Sequence, residues 1–470
     1  MAEKIDALIT PINDILYYPV LIILLLGIGI YFTLKTGFLQ GRLFKESVRV
    51  VMEKPEEDDS VSSFQALMVS TASRVGTGNI VGVSSALCLG GYGAVFWMWV
   101  VAIIGGASAF VESTLAQIYK RRDEQGNSYG GPSYYIESAL KNRALGIIFA
   151  ISLILTYAIG FNMLAAFNLQ TTFQAYSFYN ESTTPYIIGG VLALVTLYCI
   201  LGGGKRIIRF TSMLVPLMGT IYVIVSLIMI VINIGYMPTV FERIFSDAFN
   251  FRAIFGGVAG SSMMYGIKRG LYSNEAGIGS APNAAASAHV SHPVKQGLVQ
   301  MLSVFIDTVV ICSATAFMCL SSGVEPSAEL GGAPYVQAAL STFMGSFGNH
   351  FITISLILFA FTTLIGNLYY VDNNLAYING KVPSKTFMTA YRVFAAAVIF
   401  LGAAQKQALA WDIADLLMGV MALINLPAIF LLGKTAINAL KDYEKQRKEG
   451  KDPVFHATDI GIQEKLDFWN

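Results

Sequence analysis

Ser73-Arg74-Val75-Gly76-Thr77-Gly78-Asn79 lies inside an apolar run of membrane length, from about Phe64 to Leu89, and its reading decides the fold. Backbone at bilayer depth must be hydrogen-bonded, buried in protein or facing a wet cavity, so a glycine-rich interruption there is no ordinary turn. Two glycines flanking Thr77 let the helix unwind, which bares carbonyls at the end of the first half and amides at the start of the second. The amide end attracts anions and the carbonyl end attracts cations. A zwitterion such as an amino acid, accompanied by a small cation, fits that double polarity better than a purely anionic or cationic solute. The alternative is a plain helix-packing face of small residues, which would not need Thr and Asn beside the glycines.

Working outward, the 470 residues are 54% hydrophobic and 13% charged, with a mean hydropathy of +0.58. That balance specifies an all-α polytopic membrane protein. The net charge of +1 gives no reason to expect nucleic acid. Four cysteines show neither metal spacing nor the density of a secreted scaffold. The N-terminal apolar run is long enough to span and lacks a cleavage site, so it reads as a helix and not as a removed signal.

Basic residues set the expected topology. The linker with Lys35, Arg42, Lys45, Arg49 and Lys54 is placed inside, as are Lys120 to Arg122, Lys205 to Arg209, Lys381 to Arg392 and a polar tail carrying Lys441 to Lys451. The stretches Asn180 to Thr184 and Ser321 to His350 lack Lys and Arg and are placed outside. The result is about eleven spans, N-terminus outside and C-terminus cytoplasmic, in a plasma (inner) membrane. Setting aside the first helix (1–61) leaves two halves, 62–235 and 236–434, with a tail at 435–470. Each half opens with a glycine-broken helix and enters from the opposite side, an inverted repeat of five-plus-five helices. In the second broken region, Phe251 to Ala286, counting inward puts mid-depth near Gly260 to Gly266, which makes Ser261, Ser262 and Met263 pocket candidates.

Several stretches then resemble the alanine or glycine:cation symporter family: Phe64-Gln65-Ala66-Leu67, Val75 to Ile80, Phe96-Trp97-Met98-Trp99, Gly130 to Ile136, His292-Pro293-Val294, Phe305-Ile306-Asp307-Thr308 and, above all, Arg269-Gly270-Leu271-Tyr272-Ser273-Asn274-Glu275-Ala276-Gly277-Ile278-Gly279-Ser280-Ala281-Pro282. The resemblance implies a leucine-transporter-like fold and sodium-coupled uptake of alanine or glycine by alternating access, with a single copy in the lipid bilayer as the working unit. Proton coupling is the alternative. Carried across, Val75, Gly76, Thr77, Gly78 and Asn79 would meet the substrate, with the amides of Thr77 and Gly78 on its carboxylate. Sodium would be held by carbonyls at Ala72 and Val75 and hydroxyls of Thr362 and Thr363. Adjacent threonines in an apolar helix also bond back to their own preceding turn. The family pattern Asn-Met-Val-Gln-Ala-Asn departs here to Asn162-Met163-Leu164-Ala165-Ala166-Phe167-Asn168, so Asn162 is kept and Phe167 walls a small pocket.

Charged groups within spans are costly and need a role. Asp307 reads either as a cation-coupling carboxylate or as a structural hydrogen-bond acceptor. Glu112 reads as structural, Arg74 as a gate or packing group, and Glu275 as an internal gate or loop brace at the inner mouth. A channel would offer one pore ring instead of two broken helices. An intramembrane enzyme would need a nucleophile or metal set, and no His-Glu-x-x-His or Gly-x-Ser-x-Gly occurs.

Overall fold

The computed structural model describes residues 2–53, 60–123, 126–250 and 261–469. Among the described residues, eight helices are long and apolar enough to cross a membrane. They are α1 (Ala7–Lys35), α4 (Gly93–Ile118), α5 (Arg143–Ala175), α7 (Gly203–Ile232), α11 (Pro293–Leu320), α13 (Ser346–Asn379), α14 (Lys385–Gly402) and α15 (Gln407–Lys448). With α6 (Thr184–Ile200) and two broken helices, the eleven expected spans are present among the described residues. The apolar faces of α7 and α14 point outward, with 28% of each span's most apolar stretch buried, whereas in α13 that share is 78%. These spans make the chain an integral membrane protein.

The first broken helix is α2 (Ser63–Arg74) followed by α3 (Gly78–Gly90). Ser62 starts it with a reciprocal capping box: its Oγ accepts from the Gln65 amide (3.1 Å), and Gln65 Oε1 accepts from the Ser62 amide (3.0 Å). The second is α9 (Ser262–Asn274) followed by the short α10 (Pro282–Ala285). The two run antiparallel. Gly90 at the end of α3 packs against Tyr265 near the start of α9, while the His289 amide beyond α10 donates to the Val61 carbonyl ahead of α2 (3.0 Å). We call the side of Val61 and His289 the tail face. The opposite, loop face carries the amphipathic α8 (Met237–Ala248) and α12 (Ala333–Met344).

Two expectations are corrected. The second helix breaks at 275–281, a full helix beyond Ser261, because Glu275 (φ 54°), Gly277 (φ 86°) and Gly279 (φ 89°) take left-handed backbone. Gly266 and Gly270, spaced as a small-xxx-small pair, instead let α9 approach α4: a Cβ on them would lie 2.5 Å from Ala94 O and 3.0 Å from Val101 Cγ1. The flanking Gly256, Gly257 and Gly260 lie outside the described residues. The C-terminal segment, expected as a polar cytoplasmic tail, folds back on the tail face. Phe455, Leu466 and Trp469 are buried, Trp469 Nε1 donates to Gln117 O (2.7 Å), and the Lys120 ammonium sits 4.5 Å from the Phe468 ring.

Candidate functional site

The first break is short. Val75 leaves helical geometry (φ −76°, ψ 84°), Gly76 follows outside any helix, and Thr77 is helical again (φ −61°, ψ −22°). The amides of Thr77 and Gly78 stand in the first turn of the new helix, where a helix supplies no partner of its own. Gly76 N–H donates to Asn79 Oδ1 (2.8 Å). Asn79 Nδ2 in turn donates to Asp307 Oδ1 (2.8 Å). Asp307 also accepts from Ser273 Oγ and Thr308 Oγ1, both at 2.8 Å on Oδ2. It is a fully buried carboxylate hydrogen-bonded by donors from three helices, α3, α9 and α11.

The glycines of the break do not take left-handed backbone. They are required by close approach: a Cβ on Gly76 would fall onto Thr363 Oγ1, and one on Gly78 would lie 2.8 Å from the Tyr272 ring. One turn along α13, a Cβ on Gly366 would lie 2.8 Å from Ser73 N and 3.3 Å from Ala72 C. Thus α13 presses on the carbonyl end of the break, from Ala72 to Gly76. There Thr363 Oγ1 is buried with no hydrogen-bond partner. A hydroxyl stripped of water and unpaired at this depth is costly, and with the neighbouring carbonyls it makes a neutral oxygen set suited to a hard monovalent cation. Thr362 is different: its Oγ1 donates back to Leu358 O (3.0 Å) and Phe359 O (3.1 Å), and it faces Met218. Successive helical residues point about 100° apart, so the pair divides between break and neighbour.

Helix α5 supplies the third wall. Asn168 Nδ2 donates to Thr77 Oγ1 (3.2 Å), leaving its own Oδ1 unpartnered. Asn162 Oδ1 accepts from Asn367 Nδ2 (2.9 Å), leaving Nδ2 unpartnered. Phe167 is buried one position before Asn168. Ser73 Oγ stands 2.7 Å from Asn367 Oδ1 and 2.9 Å from Glu275 Oε1, while Ser280 Oγ donates to Glu275 Oε2 (2.7 Å). A continuous polar chain, Asn162–Asn367–Ser73–Glu275–Ser280, therefore ties α5 and α13 to both breaks.

Glu275 is thus not at the inner mouth; it is the bridging carboxylate between the breaks, 1% exposed. Ser261, Ser262 and Met263 are not brought to this site. Ser261 caps α9 through the Met264 amide (3.3 Å), and Ser262 reaches Asp247 O (3.4 Å) on the loop face. Arg74 turns away from the break toward Gln300 (3.2 Å to Oε1). Glu112 accepts from the Gly277 amide (3.2 Å) and Asn425 Nδ2 (2.8 Å), bracing the second break. Sequence reasoning missed Tyr272, whose ring covers Gly78 and meets Phe161 (4.9 Å) and Trp411 (5.1 Å) edge-on. Its place in the most specific family element was the available signal. It also missed Asn168 and Asn367, which the fold alone aligns with the breaks.

Two antiparallel broken helices whose interruptions meet at one buried polar point define an α-helical membrane carrier. The fold is matched by the crystal structure of MhsT in complex with L-phenylalanine, with a TM-score of 0.58 over 86% of this chain and 92% of that one at 14% identity. A family model described as the sodium:alanine symporter family matches residues 2–457. The chain is 44% identical over 471 residues to the probable sodium/glutamine symporter GlnT of Bacillus subtilis, covering 100% of this chain and 97% of that one. It is 38% identical to the sodium/alanine symporter AgcS of Methanococcus maripaludis, covering 94% and 98%. It is 39% identical to a sodium/proton-dependent alanine carrier protein of Bacillus sp. PS3, covering 90% and 96%. This protein belongs to the sodium:alanine symporter family.

Proposed function

We propose that the protein couples sodium entry to uptake of a small neutral amino acid, alanine or glycine, by alternating access. The carrying observation is the unpartnered Thr363 hydroxyl lodged against Gly76. It supports a cation seat on the carbonyl side of the same break whose amides at Thr77 and Gly78 face the other way. Sodium and the substrate carboxylate then share one stretch of backbone, Ala72 to Asn79. Ordering either end prepares the other, so each ligand raises the other's affinity by the same factor. The unpartnered Asn162 Nδ2 and Asn168 Oδ1 are the side-chain groups left for the amino acid, with Phe167 beside them.

In this reading residues 62–235 and 236–434 are the two inverted halves, with 1–61 and 435–470 as additions. The tail face is cytoplasmic, as its Lys and Arg residues favour, and the N-terminus is outside. One copy in the plasma (inner) membrane does the work, and no covalent chemistry is involved. Proton coupling is the second reading, favoured by Glu275, a carboxylate that hydrogen-bonds Ser73 at the first break and Ser280 in the second. Counterflow in proteoliposomes tests the whole: labelled alanine should exchange for unlabelled alanine or glycine in sodium but not in choline. Leucine and alaninamide should compete poorly, and glutamine tests the preference suggested by one relative's name. Equal uptake in choline rejects sodium coupling, and uptake following a pH gradient in choline selects the proton reading.

A further inference from the structure

Helix α1 stands outside the two halves, and its contacts concentrate on one place. We propose that α1 is a stay for the loop-face gate, with Tyr17 as the positioning residue that joins the two helices which must part for that gate to open. The proposal rests on the carrier reading above, because a gate is meaningful only where the site opens alternately to two sides.

The gate is built from the break outward. Tyr272 on α9 covers Gly78, and Trp411 on α15 packs edge-on to Tyr272. The Arg269 guanidinium lies 3.9 Å from the Trp411 ring centroid. It also makes two parallel bonds, both 3.1 Å, to the carboxylate of Asp415 on α15. The pair is bidentate and nearly dry, with side chains 5% and 1% exposed, so parting it leaves two buried charges uncompensated, which is costly. Withdrawing Tyr272 toward the loop face means separating α9 from α15 at this pair.

Tyr17 reaches both helices with one side chain. Its hydroxyl donates to the Asp415 carbonyl on α15 (2.9 Å). Its ring lies 4.7 Å from the ammonium of Lys268 on α9, which in turn is 3.4 Å from Asp415. One carboxylate faces two cations here, and the electron-rich ring face takes up part of the excess positive charge. The rest of α1 fixes Tyr17 to α15. Asn13 Nδ2 donates to Asp412 O (3.0 Å) and Thr10 Oγ1 to Asp412 Oδ2 (2.7 Å). Leu16 and Leu21 fill the groove at Gly419, and Phe32 fills that at Gly433. A helix that merely sealed the bundle would need the apolar contacts only. The polar contacts of α1 with α9 and α15 gather at the height of the gate.

The test uses the full chain in proteoliposomes and a reporter beneath the gate. A cysteine at Gly82 has ordinary clearance from Tyr272 (3.7 Å) and Trp411 (3.8 Å). It is introduced with Cys88→Ser, since the other three native cysteines are buried. Labelling with an impermeant maleimide from the loop face reads the open fraction. Tyr17→Phe, which keeps the ring and loses one hydrogen bond, should raise the labelling rate about fivefold. Tyr17→Ala should raise it further, and Tyr31→Phe on the same helix should leave it unchanged. Both Tyr17 variants should raise the external alanine concentration for half-maximal uptake more than they lower turnover. An unchanged labelling rate in Tyr17→Phe overturns the proposal, whether or not Tyr17→Ala folds. Failure of counterflow in the parent protein would instead remove the carrier reading, with the labelling result standing separately.

Discussion

The two interruptions do the same job with opposite use of glycine. In the first, Gly76 and Gly78 keep backbone that any residue could adopt and are glycine because Thr363 and Tyr272 press against them. In the second, Gly277 and Gly279 take φ values of 86° and 89°, and Glu275 joins them at 54°. One break is two residues long, Val75 and Gly76, and closed by neighbours, whereas the other is a left-handed loop held by Glu112, Asn425 and Ser280. Glycine spacing therefore marks unwinding only where the chain turns left-handed. Elsewhere it marks an approach by another helix.

The largest expected difference lies in the response to added side chains. Gly277→Ala should lower stability by at least about 1–2 kcal/mol from its left-handed backbone, and its Cβ would also lie 2.8 Å from Leu426 Cδ2. A thermal midpoint in detergent equal to that of the parent would break the contrast. Gly76→Ala should retain the fold yet abolish sodium-dependent uptake, because its Cβ occupies the space of Thr363 Oγ1. Adding Thr363→Ala should relieve the overlap without restoring sodium dependence. Recovery of sodium dependence in that double variant would place the cation elsewhere.

A smaller effect separates the neighbouring threonines. Thr363→Ala should require roughly tenfold more sodium for half-maximal alanine binding by calorimetry, the scale of one lost ligand hydroxyl, with binding recovered at high sodium. Thr362→Ala, which removes a bond to its own helix, should change the requirement less than about twofold. Equal shifts in the two would return both hydroxyls to the site.

The smallest effect concerns the end of the second broken helix, where His292 caps α11. Burial, with Lys295 nearby, pushes the ring down to about 3. Its Nδ1 accepts from the Val294 amide (3.2 Å), which leaves Nε2–H facing Asp442 (3.3 Å), a neutral hydrogen bond and not an ion pair. An unfolded histidine ionises near 6.5, so between there and about 3 acid loads the open form and not the docked one. Stability of the tail-face packing should fall from pH 7.5 to 5, read as faster proteolytic release of the tail. His292→Asn should flatten that dependence, and an unaltered slope would assign it to another group.

Much of this was legible in the residues. The spans follow from apolar runs long enough to cross a bilayer, and the first break from Thr and Asn set among glycines within one such run. The Thr362–Thr363 pair was found but not resolved, since only the helix phase relative to α2 decides which hydroxyl faces Gly76. The second break was misplaced because its region holds glycines of both kinds. Gly266 and Gly270 look like breakers until Ala94 and Val101 are seen against them. The docked tail was unreadable in its polar sequence, because the large apolar side chains it buries, Phe455, Leu466 and Trp469, are spaced to no helical or strand period and find their partners only in three dimensions.

The sequence by itself determined that the chain spans a membrane, that a helix breaks within Ser73 to Asn79, and which family its motifs resemble. These follow from local physics: hydropathy, backbone preference and the cost of polar groups in hydrocarbon. Tertiary structure alone decided that Glu275 joins the two breaks, that Tyr272 covers the first, and that α1 reaches the gate. Each of those is a contact between segments hundreds of residues apart, and the chemistry of a buried polar group is set by the partner that packing delivers to it.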